Sequence, residues 1–279
     1  MTSIVIPAHN EGAVVGRLLK QLISDANPDE FDVIVIANGC TDDTAEQAAS
    51  AGPGVRVVSI PVASKRAALD AGDQAAQSSF PRIYVDADVE IGSSDVRALR
   101  DALGLPGVLA AAPQRELVLA DRPLLVRCYY DVWTRLPVVR NGLFGRGVVA
   151  VSAAGHDRIR ELPPAMGDDL AVSLEFEPAE RTIVEGARVL VHPPRTTADL
   201  LRRRVRAAVS VAQLEDGSHG DASARTQPAD LVQIVRADKR MLPRVAVFLG
   251  ITVVARLRAR RAIKRQDFST WLRDESSRQ

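Results

Sequence analysis

Short apolar runs alternate with amphipathic stretches through the first 112 residues. The runs at 4–8, 33–37, 55–60, 83–85 and 108–112 are rich in Val, Ile and Ala and nearly continuous, a pattern that predicts strands covered on both faces. Between them apolar residues recur at helical spacing: Val14, Val15, Leu18, Leu19 and Leu22, then Ala45, Ala48 and Ala49, then Ala67, Ala68, Ala71 and Ala75, then Val96, Leu99 and Leu103. Thr41, Ser64 and Ser93 or Ser94 stand where helix N-caps are expected. Such a series predicts an α/β fold: a mostly parallel, Rossmann-like sheet with right-handed crossovers, flanked by helices. Ligands of these sheets bind beyond the carboxyl ends of the strands.

Beyond residue 112 the pattern is less regular. Tyr129, Tyr130 and Trp133 share a helical pattern and read as core. Gly145-Arg146-Gly147-Val148-Val149-Ala150 formally fits a dinucleotide fingerprint, but it runs into a strand-like stretch at 148–151 instead of opening a helix, so that reading is rejected. Residues 189–191 predict a strand ending at His192, and a helix beginning near Thr197 carries Arg202, Arg203, Arg204 and Arg206. The polar stretch 215–230 reads as a loop or linker. This divides the chain into a domain over 1–214, with halves 1–112 and 113–214, and a C-terminal helical appendage over 231–279.

Composition agrees with one large α/β domain plus an appendage: the chain has 279 residues, 46% of them hydrophobic. Net charge is +1, yet residues 231–265 hold ten Lys or Arg against one acid, Asp238. The uncharged run 245–255 is shorter than the roughly twenty residues that span a bilayer. Two readings stay open for it: a helix packed on the domain, or an interfacial helix drawn to an anionic membrane surface. Aromatic residues make up 4% of the chain and no nucleic-acid module is evident, so no nucleic-acid partner is expected. Cys40 and Cys128 match no metal spacing and no export signal is visible, which leads to the expectation of a cytoplasmic protein, peripheral at the inner face of the cell membrane in the interfacial reading.

The chemistry gathers at the predicted strand ends. Asp86-Ala87-Asp88 follows the fourth run, and in an extended chain the two carboxylates leave on the same side, able to hold one divalent ion together with phosphate oxygens. Pro7-Ala8-His9-Asn10-Glu11, Asn38-Gly39-Cys40-Thr41-Asp42 and Ala63-Ser64-Lys65-Arg66 follow the first three runs, and together they favour a nucleotide site. Asp168-Asp169 precedes an apolar helix-like run, where acidic residues complement a helix N-terminus. Arginine's planar fork suits phosphate, which makes Arg203 and Arg204 candidates for a diphosphate or an anionic acceptor.

These elements, in this order and spacing, resemble the family 2 glycosyltransferases, whose nucleotide-diphospho-sugar-binding fold is termed GT-A. The carrying residues are 4–11, 38–44, 65–72 and 85–88. The resemblance implies transfer of a single sugar from a nucleotide diphosphate sugar to a hydroxyl acceptor, with inversion, and a divalent cation, Mn²⁺ or Mg²⁺. It implies a nucleotide-sugar pocket built from Pro7, Ala8, Asn10, Glu11, Asn38, Asp42, Lys65, Asp86 and Ala87. Asp88 would be the main metal ligand, with Asp86 on ribose or metal and His192 completing the shell, and Asp169 the general base. Gly145, Arg146, Gly147 and Asp168 would lie on the acceptor side; in the interfacial reading that acceptor is lipid-linked. Asn38 departs from the Asp more usual there, and the arginine segment lacks the Gln and Trp of processive synthases. The rival readings are a nucleotidyltransferase of related fold and a catalytically silent nucleotide-binding or membrane-associated scaffold.

Overall fold

The computed structural model describes residues 1–162, 168–216 and 226–265. Among these residues seven strands appear: β1 (Thr2–Ala8), β2 (Phe31–Asn38), β3 (Val55–Ile60), β4 (Arg82–Val85), β5 (Ala110–Leu117), β6 (Val148–Val151) and β7 (Arg181–Val191). They form one sheet in the order β3-β2-β1-β4-β6-β5-β7. The first four strands are parallel neighbours, as the alternating pattern predicts. β6 runs antiparallel to both β4 and β5, and β5 pairs in parallel with β7.

That one reversal places the site. Val85, the last residue of β4, pairs with Val148, the first of β6. The glycine-rich stretch before β6 therefore arrives beside the residues that follow β4.

Between the strands lie α1 (Gly12–Ile23), α2 (Thr44–Ala49), α3 (Lys65–Ala76) and α4 (Ser93–Ala102). Val14, Val15, Leu18, Leu19 and Leu22 of α1 are all buried, and Leu18, Leu19 and Leu22 pack with Ile4, Ile6, Val33 and Val35 on one sheet face. Each fully buried side chain of this size contributes about 1.5–3 kcal/mol. Val5, Ile34 and Ile36 point to the other face, against Ala68 and Ala76 of α3. Ser64 caps α3 as expected, its Oγ accepting the Ala67 N–H at 3.3 Å. The other two caps differ: Asp43, not Thr41, precedes α2, and Gly92 precedes α4, where its N–H donates to the Asp95 carboxylate. β3 is an edge strand, half-buried with Arg56 and Ser59 exposed, rather than one covered on both faces. β5 starts two residues later than the apolar run and continues to Leu117, because β7 pairs along its whole length across an irregularity after Pro113.

The second half adds α5 (Leu124–Trp133), α6 (Pro137–Asn141), α7 (Ala153–Arg160), α8 (Asp168–Glu175), α9 (Thr197–Asp216), α10 (Pro228–Ala237) and α11 (Leu242–Arg265). Tyr129, Tyr130 and Trp133 are buried, as expected, in a cluster with Leu200 of α9, Ile234 of α10 and Phe248 of α11. The rings of Tyr129 and Phe248 stack at 4.9 Å. The C-terminal helices thus share a core with the second half of the domain. Among the described residues no helix is long and apolar enough to cross a membrane.

Candidate active site

β4 ends at Val85, so Asp86-Ala87-Asp88 lies in a turn, closed by the Val89 N–H on the Asp86 carbonyl at 3.4 Å, and not in an extended strand. The alternation nevertheless persists in burial: Val85, Ala87 and Val89 are buried, while Asp86 and Asp88 are half-exposed. Asp86 is anchored from both sides. Its N–H donates to the Gly147 carbonyl at 2.7 Å, and its Oδ1 accepts from Lys65 Nζ at 2.7 Å. Lys65 is the first residue of α3, so the capped start of that helix sets the position of this ammonium.

Gly147 has φ +69°, and a Cβ there would lie 2.5 Å from Val89 Cγ1. Only glycine fits a left-handed backbone pressed this closely on the aspartate turn. Gly145 repeats the argument at φ +66°, with the Trp133 ring 2.9 Å from where a Cβ would stand. Its N–H donates to Asp169 Oδ2 at 2.8 Å, while Asp169 Oδ1 accepts from the Leu170 N–H at 2.9 Å. Asp169 is exposed in the first turn of α8, and each oxygen keeps a second lone pair for a further partner.

Pro7, Lys65, Asp86, Gly147 and Asp169 line one cavity of about 110 Å³ together with apolar Leu69, Val149, Ile159, Leu162 and Val172. Tyr84 and Asp73 also line it, joined by a 2.7 Å hydrogen bond from the phenol. Burial, and then Asp73 beside it, pushes the Tyr84 pKa up. Burial alone would raise Asp73, but hydrogen bonds from His156 and Tyr84 and the nearby Arg82 outweigh it and hold the carboxyl below its usual range.

The remaining expected nucleotide residues form a second group at the ends of β1 and β2. Ala8 and Asn38 are buried, and His9 Nδ1 lies 2.5 Å from the Asn38 carbonyl. Asn10 Oδ1 accepts from the Thr41 N–H at 2.8 Å. Glu11 is buried, its N–H bound to Thr44 Oγ1. Burial would raise the Asp42 pKa, but the Thr44 hydroxyl and the Gly12 and Thr44 N–H groups outweigh it and hold the carboxyl low.

Several candidates sit elsewhere than the pattern suggested. Arg146 turns inward: its guanidinium, buried, donates to the carbonyls of Gly142, Pro113 and Arg140, and burial pushes its pKa down to about 10. It supports the glycine loop from below and does not face an acceptor. His192 Nε2 pairs with Glu90 Oε1 at 2.6 Å, the same oxygen that Arg17 approaches at 3.1 Å. Among the described residues no three His, Cys, Asp or Glu side chains gather as a metal cluster, so the expected set with His192 is not assembled. Arg203 and Arg204 are not among the residues lining the cavity, and the Arg204 guanidinium lies over the Tyr129 ring at 5.6 Å. The side chain of Asp168 lies outside the described residues.

Tyr84, Asp73 and Arg115 escaped the sequence reading. Arg115 on β5 stacks over Trp133 at 4.7 Å, and its Nη2 donates to the Val139 carbonyl. Burial, then repulsion from Arg146, pushes its pKa down to about 9, while Asp169 opposes the shift. It is a half-buried cation behind the Gly145–Asp169 contact. An arginine alternating with exposed Gln114 and Glu116 carries no signal of this in sequence.

A family model described as glycosyl transferase family 2 matches residues 3–140, which hold the loops after β1 and β2, Lys65 and the aspartate turn. The chain belongs to this family. Among solved structures, the mannosyltransferase PcManGT from Pyrobaculum calidifontis, in complex with GDP-Man and Mn²⁺, is similar with a TM-score of 0.63 and 17% identity, over 94% of this chain and 75% of that one. Glucosyl-3-phosphoglycerate synthase from Mycobacterium tuberculosis, in complex with Mn²⁺, UDP-glucose and phosphoglyceric acid, is similar with a TM-score of 0.55 and 21% identity, over 80% and 81%. At these identities the likeness carries the fold. No curated protein matches the sequence. The match takes in the polar loops after β1, β2 and β4, while the glycines before β6 lie beyond it.

Proposed function

We propose that this family 2 protein transfers a single sugar from a nucleotide diphosphate sugar to a hydroxyl acceptor, inverting the anomeric centre, with Asp169 as the general base. The observation that carries the reading is that Asp86 and Asp169, from opposite halves of the chain, line one cavity with Lys65 and Gly147. The complexes of the two similar proteins with GDP-Man or UDP-glucose and Mn²⁺ support the donor class and a divalent cation.

Asp86 and Asp88 fit such a cation. Two half-exposed carboxylates offer hard oxygen donors, and a site of this kind is completed by diphosphate oxygens and water, with no need for a third protein ligand. When bound, the ion would neutralise charge on the leaving diphosphate.

The acceptor oxygen attacks the anomeric carbon as the bond from that carbon to the diphosphate oxygen breaks. The electron pair leaves with the nucleoside diphosphate, and the acceptor proton passes to Asp169. Gly145 and Leu170 hold both oxygens of that carboxylate in place before reaction, so the base needs no reorientation. Lys65 supplies a further positive charge beside Asp86.

The test is a thermal-shift panel of UDP-, GDP- and dTDP-sugars with Mn²⁺ or Mg²⁺, on the native chain and on Asp88→Ala. At least one nucleotide sugar should stabilise the native chain in a metal-dependent way, and Asp88→Ala should abolish the metal-dependent part with the fold retained. A shift indifferent to EDTA and to the substitution overturns the metal assignment. No shift with any donor overturns the donor class.

A further inference from the structure

α11 has two faces. Val245, Phe248, Ala255, Ala259 and Ala262 are buried against α5 and α9 and their neighbours. On the other side Leu242 is 60% exposed, Leu249 44%, Val253 53% and Leu257 51%, with Ala246 also exposed. These residues step by three or four along the chain, so at 100° per residue they fall on one stripe about 80° wide. A stripe of large aliphatic side chains facing water across four turns is unusual for a helix already seated on a core. Arg260 continues the same line at the helix end, and exposed Arg256 and Arg261 flank it. From Lys239 to Ile263 there are seven cationic residues and no acidic one.

We propose that this stripe is a docking surface for an anionic lipid bilayer, with α11 lying along the interface. Charge complementarity selects this occupant. An aliphatic stripe ended and edged by arginines suits an acyl boundary beneath phosphate headgroups. A second copy of the chain would set the arginines of each α11 against those of the other, at a cost in repulsion. The helix is held to the domain by its opposite face, so docking requires no unfolding. The inference does not rest on the catalytic reading, since nothing in it uses the cavity.

The full chain would be sedimented with phosphatidylcholine vesicles containing rising fractions of phosphatidylglycerol. Bound protein should rise with the anionic fraction and fall with salt. Leu249→Glu with Val253→Glu should lower binding by about tenfold or more, with far-ultraviolet circular dichroism and melting temperature unchanged, since both side chains are already exposed. Arg256→Gln with Arg261→Gln should lower it by a similar factor and flatten the salt dependence. Absence of binding to anionic vesicles overturns the proposal, as does binding unaffected by the glutamate pair. A concentration-dependent dimer that the glutamate pair disperses, with no vesicle binding, reassigns the stripe to self-association. Donor binding measured on the same variants keeps this outcome separate from any failure of the transferase reading.

Discussion

The loops after β1 and β2 and the loop before β6 both present polar groups at one sheet edge, but they are held in different ways. In the first half, neighbouring parallel strands end in register, and their loops bind each other: Asn10 holds Thr41, Asp42 holds Gly12 and Thr44, and His9 meets the Asn38 carbonyl. In the second half, Asp169 is fixed by a backbone N–H 24 residues away, and the loop that supplies it is propped by one buried guanidinium on three carbonyls. Parallel strands deliver their loops together as a consequence of the fold class. The Gly145–Asp169 contact follows from one reversed strand and one arginine buried under its loop.

The comparison can be broken hardest at Asp169. Asp169→Asn keeps the hydrogen-bond acceptor for Gly145 but loses the base, and turnover should fall by about 10²–10⁴-fold with donor affinity nearly unchanged. The measurement is kcat and donor Kd on the same preparation. A loss of only a few-fold would return Asp169 to helix capping.

Arg146→Met tests the prop. Three carbonyls lose their donor, two of them in buried hydrogen bonds, and unfolding free energy should drop by about 3 kcal/mol in urea titrations. Asn10→Ala, its counterpart in the first half, removes two exposed contacts from Thr41 and leaves alanine at φ +52°, and should cost about 1–2 kcal/mol.

Arg115→Met separates support of the base from support of the loop. Turnover should fall about tenfold, roughly 1.4 kcal/mol in barrier, with the donor KM unchanged. Equal changes in kcat and stability would make Arg115 a packing residue.

The smallest effect is on acid stability. The Asp73 carboxyl is held below its ordinary pKa of 3.8 in the folded chain. The unfolded state then takes up the proton first as pH falls, so the stabilisation is present above about pH 4 and is lost as pH drops through the lowered folded value. Asp73→Asn should flatten the decline in melting temperature below pH 4. An unchanged acid limb would remove Asp73 from the groups that set it.

The pattern of residues determined much on its own. Continuous Val and Ile runs between helical stripes can bury both faces only in a parallel layered sheet, so the four parallel strands, their helices and the position of Asp86 past β4 were legible from residues 2–102. The burial of Tyr129, Tyr130 and Trp133 followed from helical spacing in the same way. Tertiary structure decided the rest, because it depended on pairings between distant segments. The antiparallel β6 is four residues long and could not announce its direction, yet it sets Gly147 against Asp86. Nothing around Arg146 or Arg115 in the sequence shows that their guanidinium groups turn inward, and His192 meets Glu90 only through the bridge between Glu90 and Leu190. Local sequence encodes the period and burial of an element, whereas the partners of a charged side chain are fixed by which strands lie next to each other.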